Sequence, residues 1–471
     1  MSDYGIYNVV GGITLIFSFL NNSMSTATAR FLTFEIGRCD SEKLTRTFST
    51  ATTIHLMIAA IVFLLGETVG LWFLENKLVI EPERLDAARW VYRFSIFSAA
   101  ISIIQVPYSA TIIAHERMKV YAYIEIFNTA LKFVIVFFLA IWHFDQLVLY
   151  AVLIFCISII ILFTYYIYCI RNFQECRYRM LWDWEIMNPM LGFSGWNVYG
   201  NMSFTARTQG VNILLNLFFG VAVNASYGIA SQVQGVMQGF SQNFLTAVNP
   251  QITKLYARGE ILQMENLLIN ASKFSFLLFF CFSFILIVEN HFVLTLWLKN
   301  VPEYSVSFCQ LNLISASVSC MFIPVVFVIH ATGKVKNASL TIGSIYLMVI
   351  VVSYLFLRMG FSPVAPLVVN TILTVCGSFS YLWFLRYLIK GFSVFRFFIK
   401  VVFPCCAIVV LSSGVPVYFH YSLNEGWPRF LLISGVFLIS FMVATYFIAL
   451  NVFQRKRFLT LIMQKMSFKV G

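Results

Sequence analysis

Long apolar stretches separated by short polar loops dominate the pattern of hydrophobic and polar positions along this chain. A stretch of about 18 or more apolar residues can cross the hydrocarbon core of a bilayer as a helix. The stretches are continuous rather than alternating, which excludes a transmembrane barrel. The pattern therefore predicts an all-α polytopic membrane protein with about thirteen spans, near residues 4–29, 49–74, 90–114, 119–142, 147–170, 192–219, 222–248, 267–288, 304–331, 339–357, 363–385, 397–419 and 428–450.

The two halves of the chain share ordered sequence anchors, which indicates an internal duplication. The segment Tyr4-Gly5-Ile6 matches Tyr227-Gly228-Ile229 at an offset of 223 (227 − 4). A second set of anchors keeps a constant offset of 217 (324 − 107), and its members are Pro107, Ala114, Arg117 and Lys119 against Pro324, Ala331, Lys334 and Lys336. Duplication of a membrane domain is how many transporters are built. The repeat predicts two parallel lobes of six helices.

The second copy contains a helix near 192–219 ahead of its Tyr-Gly-Ile, whereas nothing comparable stands ahead of Tyr4. We therefore expect the first lobe to lack its first helix. The predicted organisation is an N-terminal lobe over 1–180 with about five spans and a C-terminal lobe over 181–390 with about six. Two extra helices and a basic cytoplasmic tail follow over 391–471.

Composition supports the membrane assignment, since 60% of the residues are hydrophobic and only 11% are charged. The net charge of +12 does not indicate nucleic-acid binding. About 21 basic residues lie in loops on one side of the predicted spans and about 6 on the other, as the positive-inside rule requires. That side is therefore predicted to be cytoplasmic, with the C-terminus on it. The ten cysteines and six histidines show no metal-ligand spacing, so we predict neither a metal site nor a cofactor.

Charged residues inside spans are rare and costly, and they mark candidate sites. Arg207 stands near the middle of its predicted helix. It is predicted to bind an anionic group because the guanidinium fork matches phosphate oxygens; the alternative is a structural pair with a carboxylate or with carbonyls of a neighbouring helix. Lys132 is similarly deep, and Glu125, Asn128 and Thr129 share its helical face. That face indicates either a cavity lining or an internal contact between Lys132 and Glu125.

A stripe of neutral polar residues marks the helix predicted over 222–248. Its members recur at spacings of three and four and are Ser231, Gln234, Gln238, Ser241 and Gln242. This spacing places them on one face, which indicates a wet cavity rather than lipid beside the helix. Amide side chains suit sugar hydroxyls, although polar residues also join transmembrane helices to each other. We predict that Gln234, Gln238, Ser241, Gln242 and Asn128 line a glycan-binding cavity.

Three segments resemble bacterial polysaccharide flippases: residues 4–12 (YGIYNVVGG), 23–32 (SMSTATARFL) and 114–118 (AHERM). These are O-antigen-type exporters of lipid-linked oligosaccharides in the multidrug/oligosaccharidyl-lipid/polysaccharide (MOP) superfamily, which also holds the multidrug and toxin extrusion proteins and the lipid II flippase. The resemblance implies two lobes around a central cavity in the bacterial inner membrane. It also implies alternating-access transport of polyprenyl-pyrophosphate-linked sugars for polysaccharide and lipopolysaccharide biosynthesis, alongside other assembly proteins of that membrane.

On this interpretation Arg207 and Lys132 are the predicted pyrophosphate contacts and Glu125 is a candidate for ion coupling. The runner-up is a drug or cation antiporter of the same superfamily, which needs an intramembrane carboxylate; Glu125 is the only deep carboxylate in the predicted spans. A membrane-embedded polysaccharide enzyme is disfavoured, because the longest outer loops, near 75–89 and 289–303, are short. We predict a transporter and not an enzyme.

Overall fold

A computed structural model describes residues 23–77, 84–141, 145–450 and 454–455, apart from the side chains of residues 136, 140 and 141. Within these ranges the chain forms helices joined by short turns, and no strand is present. The predicted all-α membrane fold is confirmed. The helices are α1 (23–38), α2 (Ser41–Leu65), α3 (Leu71–Lys77), α4 (Leu85–Ala114), α5 (Met118–Ile141), α6 (Gln146–Asn172), α7 (Trp184–Phe219), α8 (Val221–Ala257), α9 (Ile261–Val288), α10 (Asn290–Leu298), α11 (Ser305–Thr332), α12 (Lys336–Arg358), α13 (Ala365–Leu388), α14 (Val394–Phe397), α15 (Phe403–Ser422) and α16 (Trp427–Ala444).

Ten membrane spans within the described ranges are long and apolar enough to cross a bilayer, counting α2 with α3 and α14 with α15 as single spans. Helices α7 and α8 are not among them, although they contain the predicted spans 192–219 and 222–248 and run for 36 and 37 residues. Their polar residues lower the hydropathy of both helices, so this pair is less suited to contact with lipid than the ten spans. Most of the predicted span 4–29 lies outside the described residues.

Helix ends follow local capping chemistry, which is why several helices start earlier than the apolar pattern predicts. The Asp40 side chain accepts a hydrogen bond from the Lys43 backbone N–H and starts α2 at Ser41, ahead of the predicted residue 49. Asp145 caps α6 in the same way through Leu147. Gly333 ends α11 with a φ of +76°, a left-handed conformation that suits glycine. Polar end turns thus extend the helices beyond their apolar spans.

The chain divides into two compact units. Unit 1 comprises Met1–Met202, Asn249–Glu260 and His330–Leu340. Its core is formed where α4 packs against α2 and α6, and α5 packs against α6. In this unit the Arg30 guanidinium donates hydrogen bonds to the backbone oxygens of His330 (3.3 Å) and Ala331 (2.9 Å), and Lys254 forms an ion pair with Glu116 at 2.7 Å. Unit 1 therefore joins early helices of the chain to the adjoining ends of α8 and α11.

Unit 2 comprises Ser203–Val248, Ile261–Ile329 and Thr341–Gly471. Helices α15 and α16 pack on each other and on α9. Glu289, whose side chain is fully buried just after α9, accepts hydrogen bonds from the Arg429 guanidinium at 2.7 Å and lies 2.7 Å from the His420 ring nitrogen Nδ1. Buried Lys273 donates to the Ala449 backbone oxygen at 2.5 Å. These polar contacts fix the two C-terminal helices to unit 2. The boundaries predicted at residues 180 and 390 stay a prediction.

Candidate functional site

A cavity of about 340 Å³ lies inside unit 2, between α7, α8, α11, α12 and α13. This volume is at the lower end of the range for ligand sites in proteins. Its lining combines aromatic rings with serine, asparagine and glutamine side chains. Arg207 is the one charged residue among the described residues that line it. The cavity therefore has a positive charge set among neutral hydrogen-bonding groups.

Arg207 is held by three neighbours before any ligand arrives. The guanidinium carbon lies 4.6 Å from the centre of the Phe204 ring and 4.5 Å from that of the Tyr346 ring, both cation–π distances. Its Nη1 donates a hydrogen bond to the Thr374 hydroxyl at 3.2 Å. None of these partners is a carboxylate or a backbone carbonyl, so the described residues do not form the structural pair that is the predicted alternative. Within the described part of the chain, the positive charge of Arg207 is left uncompensated.

The close approach of two helices explains how Arg207 reaches Tyr346. Gly210 follows Arg207 by one turn on α7, and a methyl group on it would lie only 2.7 Å from the Ile350 side chain of α12. Only glycine fits so near a neighbouring side chain. Since Tyr346 precedes Ile350 by one turn, the same approach brings its ring to the guanidinium. The close packing at Gly210 thus holds the Arg207 guanidinium of α7 against the Tyr346 ring of α12.

The polar stripe on α8 contributes most of its predicted members to the cavity. Ser231, Gln234, Gln238 and Gln242 all line it. Ser241 does not: it is fully buried and donates a hydrogen bond to the Ser275 backbone oxygen at 3.4 Å. The spacing of Ser241 is compatible with the stripe, but its side chain lies at the edge of the face and turns toward α9. Periodicity identified the face of α8 that lines the cavity, but not which residues form the edge of that face.

Several cavity residues were not predicted from the sequence. They are Tyr227 on α8, Asn312 and Ser315 on α11, Tyr346 on α12 and Asn370 on α13. A signal for α11 does exist, since Asn312, Ser315 and Ser319 recur at spacings of three and four within a highly apolar helix. On α13, Asn370, Thr374 and Ser378 recur at spacings of four, which is a second such signal. Only the packing of five helices around one space assigns them to the site.

The predicted residues of α5 lie in unit 1 and are not part of this cavity. Glu125 accepts a hydrogen bond from the Tyr165 hydroxyl at 3.0 Å, and Asn128 is half-buried. Lys132 is exposed, and among the described residues it has no ion pair; the predicted contact with Glu125 is not formed. The corresponding residue of the second copy, Val349 (132 + 217), is fully buried. The repeat therefore places a charge on α5 where α12 has a core residue.

The fold can be compared with known proteins at this point. No family model matches the sequence, and no curated protein matches it either. Solved structures do match. One described as MATE in the straight conformation has a TM-score of 0.69 at 12% identity, over 82% of this chain and 93% of its own. An outward-facing multidrug resistance MATE family transporter of the MOP superfamily has a TM-score of 0.69 at 13% identity, over 82% and 89%. The chain has the MATE fold.

A third match is a MOP superfamily transporter from Pyrococcus furiosus, described as having a binding pocket of reverse polarity that suggests a different function. It has a TM-score of 0.67 at 12% identity, over 82% of this chain and 93% of its own. At such identities the MATE fold is what is shared, and chemistry has to be argued from the cavity itself. The matches agree with the multi-pass helical membrane fold that the sequence predicts.

Proposed function

We propose that this chain is a transporter of the bacterial cytoplasmic membrane that flips polyprenyl-pyrophosphate-linked oligosaccharide by alternating access, for surface polysaccharide biosynthesis. The observation that carries the proposal is the charge of the unit 2 cavity: Arg207 is its one charged lining residue among those described, and its neighbours leave that charge uncompensated. A pyrophosphate supplies the missing negative charge.

The chemistry of the cavity favours this substrate class in two ways. Free guanidinium donors can bind phosphate oxygens with charge-assisted hydrogen bonds, which are stronger than neutral ones. Gln234, Gln238 and Gln242 add amide groups along one wall, and each can donate to or accept from a sugar hydroxyl. The substrate would place its pyrophosphate at Arg207 and its first sugars along α8, while the lipid tail stays in the bilayer.

The α5 residues fit the proposal as a second polar region in unit 1. A lysine on a transmembrane face is costly unless a charged or polar partner covers it, so we assign Lys132 as a second pyrophosphate contact and Asn128 as a glycan contact. Among the described residues, the Glu125 side chain is hydrogen-bonded by the neutral hydroxyl of Tyr165, so no fixed positive charge neutralises this carboxylate. Glu125 is therefore our candidate for coupling transport to an ion gradient.

A multidrug antiporter is the second candidate function, because MATE transporters are among the structural neighbours. A cationic drug needs a negative or neutral cavity, and Arg207 repels it. The Pyrococcus furiosus neighbour is described in terms of a reversed pocket polarity. That description supports the idea that pocket charge and function vary together on this fold, and a cationic pocket favours an anionic substrate.

Complementation tests the proposal. The chain and its Arg207→Ala variant would be expressed in a flippase-deficient strain, and surface polysaccharide would be measured at matched membrane abundance. We expect the variant to lose most of the surface polysaccharide. Arg386→Ala is the matched control, because Arg386 is an exposed arginine of the same unit outside the cavity. Undiminished polysaccharide with Arg207→Ala would refute the assigned role of Arg207. Resistance to cationic drugs that is the same with and without Arg207 would favour the antiporter.

A further inference from the structure

Residues 177–184 lead into α7 and are fixed onto α2 within unit 1. One oxygen of the Asp183 carboxylate accepts hydrogen bonds from the Arg46 guanidinium at 2.5 and 3.0 Å. The other oxygen accepts one from the Glu185 backbone N–H at 3.1 Å and so caps the start of α7. The same carboxylate therefore ties this segment to α2 and begins the helix that carries Arg207.

The register of this segment on α2 places it at the edge of the hydrocarbon core. The Arg179 backbone N–H donates to the Ser49 hydroxyl at 3.4 Å, and the Tyr178 hydroxyl lies 3.3 Å from that of Thr53. Ser49 is the first residue of the predicted apolar span 49–74, and Thr53 lies about 6 Å further along the helix. The segment is therefore at the depth where acyl chains meet headgroups, and not out in water.

Three large apolar side chains of the segment remain exposed. Met180 is 82% exposed, Trp182 54% and Trp184 60%. The two indole rings contact each other edge to face, with their centroids 5.5 Å apart. Tryptophan is concentrated at the headgroup level of membranes, because its ring is apolar while its N–H requires a polar partner. Side chains of this kind at this depth indicate contact with lipid.

An excess of positive charge accompanies the exposed tryptophans. Between residues 171 and 185 the exposed charged residues are Arg171, Arg177, Arg179 and Glu185, an excess of two positive charges (3 − 1). None of the three arginines has an ion pair among the described residues. The segment lies on the side predicted to be cytoplasmic, where anionic phospholipids make the leaflet surface negative. The free arginines therefore complement the charge of that surface.

We propose that residues 177–184 form a binding site for anionic phospholipid of the cytoplasmic leaflet. Arg177 and Arg179 bind the headgroup phosphate, while Trp182 and Trp184 lie at the boundary between headgroups and acyl chains. Because Asp183 both holds the segment on α2 and caps α7, a lipid bound there fixes the start of α7 in the membrane plane. The site does not depend on what the unit 2 cavity transports.

Fluorescence quenching by brominated phospholipids tests the site on the purified full chain in detergent. Bromine quenches tryptophan only on close contact, and the signal lost in the double variant Trp182→Phe/Trp184→Phe isolates these two rings from the other seven tryptophans (9 − 2). Brominated phosphatidylglycerol, which is anionic, and brominated phosphatidylcholine, which is zwitterionic, would be titrated separately. We expect both lipids to quench the two rings, with phosphatidylglycerol acting at the lower mole fraction.

The double variant Arg177→Gln/Arg179→Gln tests the role of charge. A basic residue near an anionic lipid surface contributes about fivefold to affinity, so half-quenching should require about 25 times more phosphatidylglycerol, with the phosphatidylcholine curve unchanged. Arg258→Gln is the matched control and should change neither curve, because Arg258 is an exposed arginine of the same unit outside the segment. Should the double variant fail to fold, each single variant gives the same comparison with an effect of about fivefold.

Two results would overturn the proposal. If aqueous acrylamide quenches the two rings and neither lipid does, the segment faces water or a soluble partner and not the bilayer. If both lipids act at equal mole fractions, or the arginine variant responds to phosphatidylglycerol as the unchanged chain does, the segment does not recognise anionic lipid. Either result leaves the proposed anion site at Arg207 standing, since the unit 2 cavity plays no part in this measurement.

Discussion

Gly210 of α7 lies close to the Ile350 side chain of α12, and one added methyl group there tests how Arg207 is positioned. A Cβ at this residue would lie 2.7 Å from Ile350 Cδ1. Favourable carbon contacts begin at about 3.5 Å, so Gly210→Ala requires the Ile350 side chain or the two helices to give by roughly 0.8 Å (3.5 − 2.7). Ile350 is β-branched and has little rotamer freedom with which to move away.

The expected magnitude combines two opposing effects. Overpacking costs about 1–3 kcal/mol, while replacing glycine by alanine inside a helix contributes about 1 kcal/mol of stability. Gly200→Ala, on the same helix with no atom within 4 Å of the new methyl group, gives the second effect alone. Gly210→Ala should therefore be less stable than Gly200→Ala by about 1–3 kcal/mol. Moving the helices apart also weakens the contact between Arg207 and Tyr346.

Thermal unfolding and titration with farnesyl diphosphate, both on purified protein in detergent, measure the two consequences. We expect Gly210→Ala to have a lower Tm than Gly200→Ala and a weaker affinity for the diphosphate. Adding Ile350→Ala to Gly210→Ala removes the obstructing atoms and should restore both. Equal Tm values for the two glycine variants, or no recovery in the double variant, would refute the view that close packing at Gly210 positions Arg207.

Two further predictions concern stability. Glu289→Ala leaves the buried Arg429 charge unpaired and should destabilise the chain by about 3–5 kcal/mol, seen as a lower Tm. The control Glu425→Ala removes an exposed partner of His291 and should change the Tm little. A similar loss of Tm in both variants would contradict the argument. Burial is the largest single effect on Glu175 and raises its pKa, but the hydrogen bond and charge of His115 and a backbone hydrogen bond together outweigh it and hold the pKa below 4.5. The stabilisation is therefore present above pH 4.5 and lost as the pH falls through the lower folded value. Glu175→Gln should thus lower the Tm at pH 6, with the difference disappearing on acidification; a difference that is independent of pH would disprove this origin.

The sequence was sufficient for the helical fold, and it singled out Arg207, which lines the cavity of unit 2. Arg207 could be identified because a charge in the middle of an apolar span is costly anywhere, whatever its neighbours are. The α8 stripe could be identified because helical periodicity places residues three and four apart on one face. Both inferences depend on one helix at a time.

Features that depend on two helices could not be predicted. Ser241 keeps the spacing of the stripe but donates to the Ser275 backbone on α9, and only the packing between α8 and α9 decides this. Asn370, Thr374 and Ser378 share one face of α13, but only the packing of α13 beside α8 and α11 shows that Asn370 lines the same cavity. Of the two alternatives for the polar face of α5, the contact between Lys132 and Glu125 is not formed in the described structure, because the two residues are seven positions apart, about 10 Å along the helix axis. The Glu125 side chain instead accepts a hydrogen bond from Tyr165 on α6.

The fixed position of Arg207 has a consequence for the entropy of binding. An arginine side chain loses about 1.5–2 kcal/mol of rotamer freedom when it becomes ordered. The Phe204 and Tyr346 rings and the Thr374 hydroxyl hold Arg207 through contacts within the fold itself, so this loss belongs to folding and not to ligand capture. An anion that enters the cavity therefore meets a rigid cation, and its affinity reflects the contacts it makes rather than the cost of ordering the protein.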